Sequence, residues 1–532
     1  MKRYLFICAI VLTVAAALRL PQLSLRPMHT DEAVHAVKFG ELLEEGQYRY
    51  DPYEYHGPTL YYLTLFTAWL SGAHNLSELT EHTLRIITAI FGVGTILFFL
   101  LLADGLGRTA AFFGALLTAI SPVMVFYSRY YIHETLLVFF SFLVIAAAWR
   151  YRQSNSVGWL LLAGAGIGFI HATKETCIIV YGAMVASLLL CRIGKGQNEI
   201  LRGAQNGTSS PNDDKVKKGK TGSIIKGKHL IAALLVGMVV SFLLYSSFFT
   251  NLQGPRDSLR TYATYLGRAD GRGVHDHPWY YYLKMLIYTK DAPGPWWSEG
   301  LIMVLALVGF MAAIIGKGIA KSNIRLLRFI AFYTLMMTAA YSIIPYKTPW
   351  CMLGFLHGMI ILAGVGAVVL VRMMPIMSGR VIISLLLIAG AFHLTHQAYR
   401  ANFRFFADQR NPYVYAHTVS DVKRLAGLIQ DIASAYPAGN DLPIKVIAEA
   451  DNYWPLPWYL RKFPQTGYWR QAPQDVNEPL VIVGPVWQPS IEEKLEGAYH
   501  PEYYGLRPTV QLKVFIRNDL WEAFIKQQQI KN

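Results

Sequence analysis

Leu84–Ala103 reads LRIITAIFGVGTILFFLLLA. These 20 residues hold a single charge, Arg85. At about 1.5 Å of rise per residue a helix of this stretch spans roughly 30 Å, the thickness of a bilayer's hydrocarbon core. Similar apolar runs lie near 4–20, 109–127, 134–149, 157–172, 176–191, 229–249, 299–316, 326–344, 349–371 and 379–396. The expected fold class is therefore an α-helical polytopic membrane protein with about eleven transmembrane helices. Composition agrees. The 532-residue chain is 53% hydrophobic and only 16% charged, whereas a soluble protein carries about 25% charged residues. Its four cysteines, Cys8, Cys177, Cys191 and Cys351, all lie in apolar runs. No pair has metal-ligand spacing, and none suggests a disulfide framework.

The net charge of +15 reads as a topology signal, because Lys and Arg are retained on the cytoplasmic side during insertion. With Lys2 and Arg3 inside, the other inside loops hold Arg108, Arg150 with Arg152, the basic 192–228 stretch, Lys317 through Arg328, and Arg372 with Arg380. A membrane-surface role for these charges is the second reading. Nucleic acid is not expected as a partner. The first apolar run has no small-residue cleavage site before Arg19-Leu20-Pro21-Gln22, so it reads as an uncleaved first helix. Pro58–Gly72 is apolar but short and is expected to lie along the membrane surface or re-enter. The N-terminus is then cytoplasmic, in an inner-membrane protein whose chain after residue 397 lies outside.

From Arg400 the pattern becomes soluble. Helical 413–435, strand-like Ile444–Ala448 and Leu480–Val483, helical Ile491–Leu495, a strand at Val510–Ile516 and a final helix suggest a small C-terminal α/β domain. The division expected is 1–399, transmembrane, and 400–532, extracytoplasmic.

Ionisable residues at the ends of membrane helices are costly and often functional, and most of them here fall in the outside loops. These are Thr30-Asp31-Glu32-Ala33-Val34-His35, Tyr55-His56-Gly57-Pro58, Ser128-Arg129-Tyr130-Tyr131-Ile132-His133-Glu134, Thr173-Lys174-Glu175, His275-Asp276-His277-Pro278 and Pro345-Tyr346-Lys347-Thr348-Pro349-Trp350. Carboxylates among them can act as general bases on an acceptor hydroxyl. Arg and Lys can hold a phosphate and stabilise its charge as it leaves. The plainer reading makes each an ordinary anchor of a helix end; Asp31 is the residue for which function outweighs it. His133-Glu134 and His275-Asp276-His277 also suit a divalent cation, zinc or manganese, without matching a strict motif; no cofactor is required. Tyr280-Tyr281-Tyr282 and Trp296-Trp297 read as interfacial aromatics. Tyr453-Trp454-Pro455-Leu456-Pro457-Trp458-Tyr459 reads either as such a belt or as a sugar-stacking cleft.

The order of these motifs resembles the GT-C membrane glycosyltransferases, particularly the protein O-mannosyltransferases and the lipid A aminoarabinose transferase. In that group an Asp-Glu pair follows the first helix, as Asp31-Glu32 does here. A short segment like Pro58-Thr59-Leu60-Tyr61-Tyr62 comes next, then an Arg comparable to Arg85, an Arg with a nearby acid comparable to Arg129 and Glu134, and a Thr-Lys pair like Thr173-Lys174. Tyr346 to Trp350, Asn411–Tyr415 and Trp454–Arg461 resemble a branch known as the flippase-activity-associated family. The sequence departs from the lipid A branch at His56-Gly57, where a Lys is usual, and at Glu134, where Asp is usual.

The resemblance implies a polyprenyl-phosphate sugar donor in the bilayer and a lipid, glycan or protein acceptor hydroxyl on the outer face. Asp31 would be the general base of an inverting displacement, with Glu32 in support and Glu134 as a further catalytic carboxylate. His56, Arg85, Arg129, Lys174, His275 and Lys347 are the substrate-binding candidates. The rival readings are a lipid-linked glycan flippase and a non-catalytic binding protein that serves one. A flippase predicts repeated halves and ionisable residues deep within helices, and the sequence has no convincing repeat.

Overall fold

The computed structural model describes residues 2–54, 56–205, 226–268, 275–291, 293–319, 322–449 and 452–531. In chain order the helices are α1 Lys2–Arg19, α2 Thr30–Glu45, α3 Thr59–Ser71, α4 Glu81–Gly94, α5 Phe98–Leu106, α6 Arg108–Ile120, α7 Pro122–Ser128, α8 Glu134–Ser154, α9 Val157–His171, α10 Cys177–Gln205, α11 Gly227–Tyr245 and α12 Gly254–Arg268. They continue with α13 Tyr281–Ile287, α14 Gly300–Ile315, α15 Ile324–Ile343, α16 Leu353–Met373, α17 Met377–Phe403, α18 Asp421–Ala435, α19 Leu456–Tyr459, α20 Gln488–Leu495 and α21 Asn518–Lys531. Strands β1 Thr289–Lys290 and β2 Trp296–Trp297 pair with each other; β3 Ile444–Ile447, β4 Thr466–Trp469, β5 Leu480–Val483, β6 Tyr499–Arg507 and β7 Val510–Arg517 form a second sheet. The chain divides into two compact units. The first holds Met1–Pro21, Gln47–Leu63 and Arg85–Arg404; the second holds Gln22–Gly46, Thr64–Leu84 and Phe405–Asn532.

The first unit is the membrane part of a multi-pass protein. Among the described residues six helical stretches are long and apolar enough to cross a bilayer, or seven if α6 and α7, bent by 57°, count as one broken span. All eleven apolar segments are helical, but Leu5–Arg19, Val157–His171, Cys177–Arg192 and Gly300–Ile315 are short apolar helices, below the length of a full span. Of the about eleven membrane helices expected, six or seven thus have the length of a full span among the described residues. Helix α17 exposes Ile382, Leu385, Leu386, Ile388 and Phe392. Such a surface is costly in water and stable against lipid. Helix α10 runs past its apolar stretch to Gln205, into the basic segment read as a loop, and residues 206–225 lie outside the described residues. The segment expected at the membrane surface is α3, whose 13 residues reach roughly 20 Å, too short to span.

The second unit is built on the five-stranded sheet, in the order β4-β3-β5-β7-β6. Strands β4, β3 and β5 are parallel, whereas β7 runs antiparallel to β5 and to β6. Every residue of β3 and β5 is buried, because helices cover both faces. Val422, Leu425 and Ile429 of α18, with Leu520 and Phe524 of α21, pack on Ile444, Val446, Leu480 and Ile482. Ile491 and Leu495 of α20 pack on Ile447, Val481 and Val483. Two strands were not legible in advance. Both β4 and β6 are edge strands; β4 carries Gly467 and β6 carries Pro501 and Gly505, residues that only an edge or a bulge accepts. The helix expected from 413 begins only at Asp421. Asn411 Oδ1 accepts from Tyr413 N at 3.1 Å, an Asx turn that holds the chain out of helix.

Residues 22–46 and 64–84, within the stretch expected on the outside face, cluster with 405–532. Met28 N donates to Tyr459 Oη at 2.9 Å, Trp458 Nε1 to Glu81 Oε1 at 3.1 Å, and Arg461 Nη2 to Leu79 O at 2.7 Å. Lys423 Nζ donates to Ser24 O and, at 3.2 Å, to Leu25 O.

Candidate active site

In the second unit, Asp31 and Glu32 open helix α2. His29 is the N-cap, and its Nδ1 accepts from Asp31 N at 3.0 Å. Glu32 Oε2 accepts from His29 N at 3.0 Å, completing a capping box. Glu32 Oε1 lies 3.8 Å from Arg26 Nη2, and the Glu32 side chain is 0% exposed. On the other side of the ring, His29 Nε2 meets Tyr415 O at 3.1 Å. The His29 ring nitrogen Nδ1 stands 3.7 Å from the Asp31 carboxylate, and the Asp31 side chain is 43% exposed. Two adjacent acids thus have different fates. Glu32 is consumed by the helix start, and Asp31 is presented from it.

Beside them lies Arg507, at the end of β6. Its guanidinium donates to Asn452 Oδ1 at 2.9 Å, Asn452 O at 3.3 Å and Trp454 O at 3.1 Å, and reaches Thr30 Oγ1 at 3.4 Å. Nothing in the sequence around Arg507 signals this role.

In the first unit five of the remaining candidates, His56, Glu134, Lys174, His275 and Lys347, fall into two groups. In one, Glu134 at the first turn of α8 forms a buried ion pair with Lys174, which sits in the turn between α9 and α10. Next to it, Glu175 accepts from Tyr50 Oη at 2.9 Å and pairs with His56 Nδ1 at 2.7 Å. Burial pushes the Glu175 carboxyl up, but His56, its hydrogen bond and Lys174 outweigh that and hold the group below the usual carboxylate range. Its adjacency to Lys174 was the signal for Glu175, which the sequence reading left out of the site. His133 Nε2 meets Gly57 O at 3.0 Å, and its ring stands edge-on to those of His56 and Tyr61. Glu134, Thr176, Tyr341, Trp350 and Cys351 share the lining of one small cavity, of about 10 Å³, room for about one water.

In the other group, His275–His277 runs antiparallel to Pro345–Lys347. Lys347 N donates to His275 O at 2.9 Å and His277 N to Pro345 O at 3.1 Å. The Lys347 ammonium donates to Ile344 O and to His277 O at 3.0 Å. Burial lowers its pKa, and the Asp276 charge opposes that shift. Burial also lowers His277, helped by the nearby His275 and Lys347, and its ring stacks on Tyr281 at 4.1 Å. His275 stands edge-on to Tyr346.

Arg129 is buried and donates to Arg19 O at 2.9 Å and Pro21 O at 2.7 Å, closing the C-terminal end of α1, with its guanidinium over Phe403. Arg85 is fully buried on α4. Among the described residues no three His, Cys, Asp or Glu side chains are placed to hold a metal ion. The metal candidates His133 and Glu134 bond through their side chains to Gly57 and Lys174, whereas His275 and His277 bond to the 345–347 segment through their backbones and set their rings on Tyr346 and Tyr281.

Comparison with known proteins adds to this geometry. Residues 58–199 match the family model described as dolichyl-phosphate-mannose-protein mannosyltransferase. No curated protein matches the chain in sequence. Among solved structures, ArnT from Cupriavidus metallidurans bound to undecaprenyl phosphate is 16% identical, with a TM-score of 0.64 over 97% of this chain and 98% of its own. The apo oligosaccharyltransferase of Archaeoglobus fulgidus is 12% identical, with a TM-score of 0.57 over 98% of this chain and 77% of its own. By this fold the chain is a multi-pass membrane protein that shares its architecture with ArnT and the archaeal oligosaccharyltransferase, and a mannosyltransferase family model matches within its membrane part.

Proposed function

We propose that the protein transfers a sugar from a polyprenyl-phosphate donor to an acceptor hydroxyl outside the cytoplasm, with inversion, and that Asp31 is the general base. The carrying observation is the contrast at the start of α2. Glu32 is buried within the capping box, while Asp31 keeps an accessible carboxylate beside the His29 ring. In the reaction the Asp31 carboxylate takes the acceptor O–H proton. The acceptor oxygen attacks the anomeric carbon from the face opposite the phosphate, the C–O bond to phosphate breaks, and polyprenyl phosphate leaves with the electron pair.

Lys347 is proposed to stabilise the leaving phosphate. Its ammonium is held by carbonyl dipoles, which orient the charge without neutralising it. Arg129 also donates to backbone carbonyls. Lys174 differs, because Glu134 balances its charge. A prenyl donor suits a multi-pass protein, since its chain stays in the bilayer while the phosphate and sugar reach the boundary.

The test is transfer from radiolabelled polyprenyl-phosphate hexoses in proteoliposomes, comparing wild type with Asp31→Asn and Lys347→Ala. Transfer lost in Asp31→Asn with donor binding kept supports the base. Donor bound but never transferred, with every hexose tried, points to a flippase or a silent binding partner.

A further inference from the structure

The polar contacts around Thr30 carry a second conclusion, which rests on Asp31 being the base. Arg507 lies where β6 departs from regular pairing. Gly505 faces Gln511 and Arg507 faces Val510, so Leu506 is an extra residue on the β6 side. A bulge of this kind re-aims the side chains beside it. Here the chain around it is pinned: Gly505 N donates to Asp421 Oδ2 at 2.9 Å, and Leu506 O accepts from Val419 N at 3.0 Å. Arg507 is left pointing to the loop after β3 and to the first residue of α2.

The contacts form a chain. Glu449 Oε1 accepts from Asn452 Nδ2 at 3.0 Å, Asn452 Oδ1 accepts from Arg507, and Arg507 reaches Trp454 O and Thr30 Oγ1. A planar guanidinium with five N–H donors in a fixed fork can serve these acceptors together, which a lysine cannot. A second brace comes from α19, where Tyr459 Oη accepts from Met28 N. A third is Tyr415 O on His29 Nε2. The turn that presents Asp31 is thus held on three sides by residues 415–507.

We propose that Arg507 is a positioning residue for the Asp31 carboxylate, with Tyr459 as a lesser one, and that the C-terminal region sets the geometry of proton removal rather than only covering the protein. A base displaced by about 1 Å loses roughly 10²-fold in rate. Arg507 touches Thr30 and not the reacting atoms, so its effect passes through Asp31.

The experiment uses full-length protein in proteoliposomes with a polyprenyl-phosphate hexose, and measures kcat, donor Kd and thermal stability for Arg507→Ala, Arg507→Lys, Tyr459→Phe and Asp31→Asn, and for Arg507→Ala combined with Asp31→Asn. Arg507→Ala is expected to lower kcat by about 10- to 100-fold, with donor Kd unchanged. Arg507→Lys is expected to recover part of the loss, and Tyr459→Phe to lose a few-fold. Arg507→Ala is expected to add no further loss once Asp31 is Asn, because residues acting as a unit are not additive. Should Arg507→Ala prove unstable, Tyr459→Phe, which removes a single hydroxyl, carries the same cycle. An inactive Asp31→Asn beside a fully active Arg507→Ala overturns the positioning role alone, as does a full additional loss in the combined variant. An Asp31→Asn enzyme with wild-type kcat overturns the base reading and this inference with it.

Discussion

Glu32 and Asp31 offer the sharpest contrast at the scale of single residues. Glu32 accepts from the backbone of its own N-cap and is sealed from water. Replacing it by Ala leaves a buried donor unmet, which costs about 1–2 kcal/mol and should lower the melting temperature of detergent-solubilised protein. Asp31→Asn keeps the shape and loses only the favourable interaction of a carboxylate with a helix N-terminus, about 0.3–1 kcal/mol. Equal losses in the two variants would show that both acids serve the helix start.

Glu175 adds a dependence on pH. Its folded pKa is depressed, so its contribution is complete above the unfolded value of about 4.3 and is lost as the pH falls through the lower folded value. Glu175→Gln should therefore flatten the acid side of a plot of melting temperature against pH, below the unfolded value of about 4.3. An unchanged slope there would rule out the pairing with His56 and Tyr50 as its cause.

At the scale of elements, helix packing in the membrane part depends on glycines. A Cβ on Gly366 of α16 would lie 1.9 Å from Leu305 O of α14, and one on Gly309 of α14 would lie 2.0 Å from Leu362 O of α16. Lipid offers apolar contacts as good as those between helices, so membrane helices associate through close backbone approach at small residues. The obstacle to a larger side chain is backbone, which does not yield as a side chain does. Gly366→Val should cost about 3 kcal/mol or more, read as a lost or strongly lowered melting transition. Gly182→Ala in α10, where nothing lies within 4 Å, is the control and should leave the transition in place. Both helices were legible as apolar runs. Which glycines meet was not, because a glycine's part in a crossing depends on the helix opposite.

At the scale of the whole molecule, the second unit joins pieces far apart in the chain. Thr30 and Arg507 are 477 residues apart, and Met28 and Tyr459 are 431. Truncation after Arg404 strips 22–46 and 64–84 of these partners. The expected result is rapid proteolysis within 22–46, which is protected in the full chain, together with loss of transfer. Continued protection in the truncated protein would show that these segments hold their fold without the sheet.

The sequence by itself determined that this is a helical membrane protein with a soluble α/β tail, and it singled out Asp31. Those readings rest on local quantities: transfer free energy summed over about 20 neighbouring residues, alternation along short strands, and the anomaly of an acid pair beside a membrane helix. Only the tertiary structure decided that Glu32 is a cap while Asp31 is presented, that Lys174 is balanced by Glu134 and backed by Glu175, and that Arg507 stands beside Thr30. These follow from hydrogen bonds between side chains and backbone brought together by folding, mostly over long separations. Such bonds are directional and specific to one pair of atoms, so they leave no period or composition along the chain from which to read them.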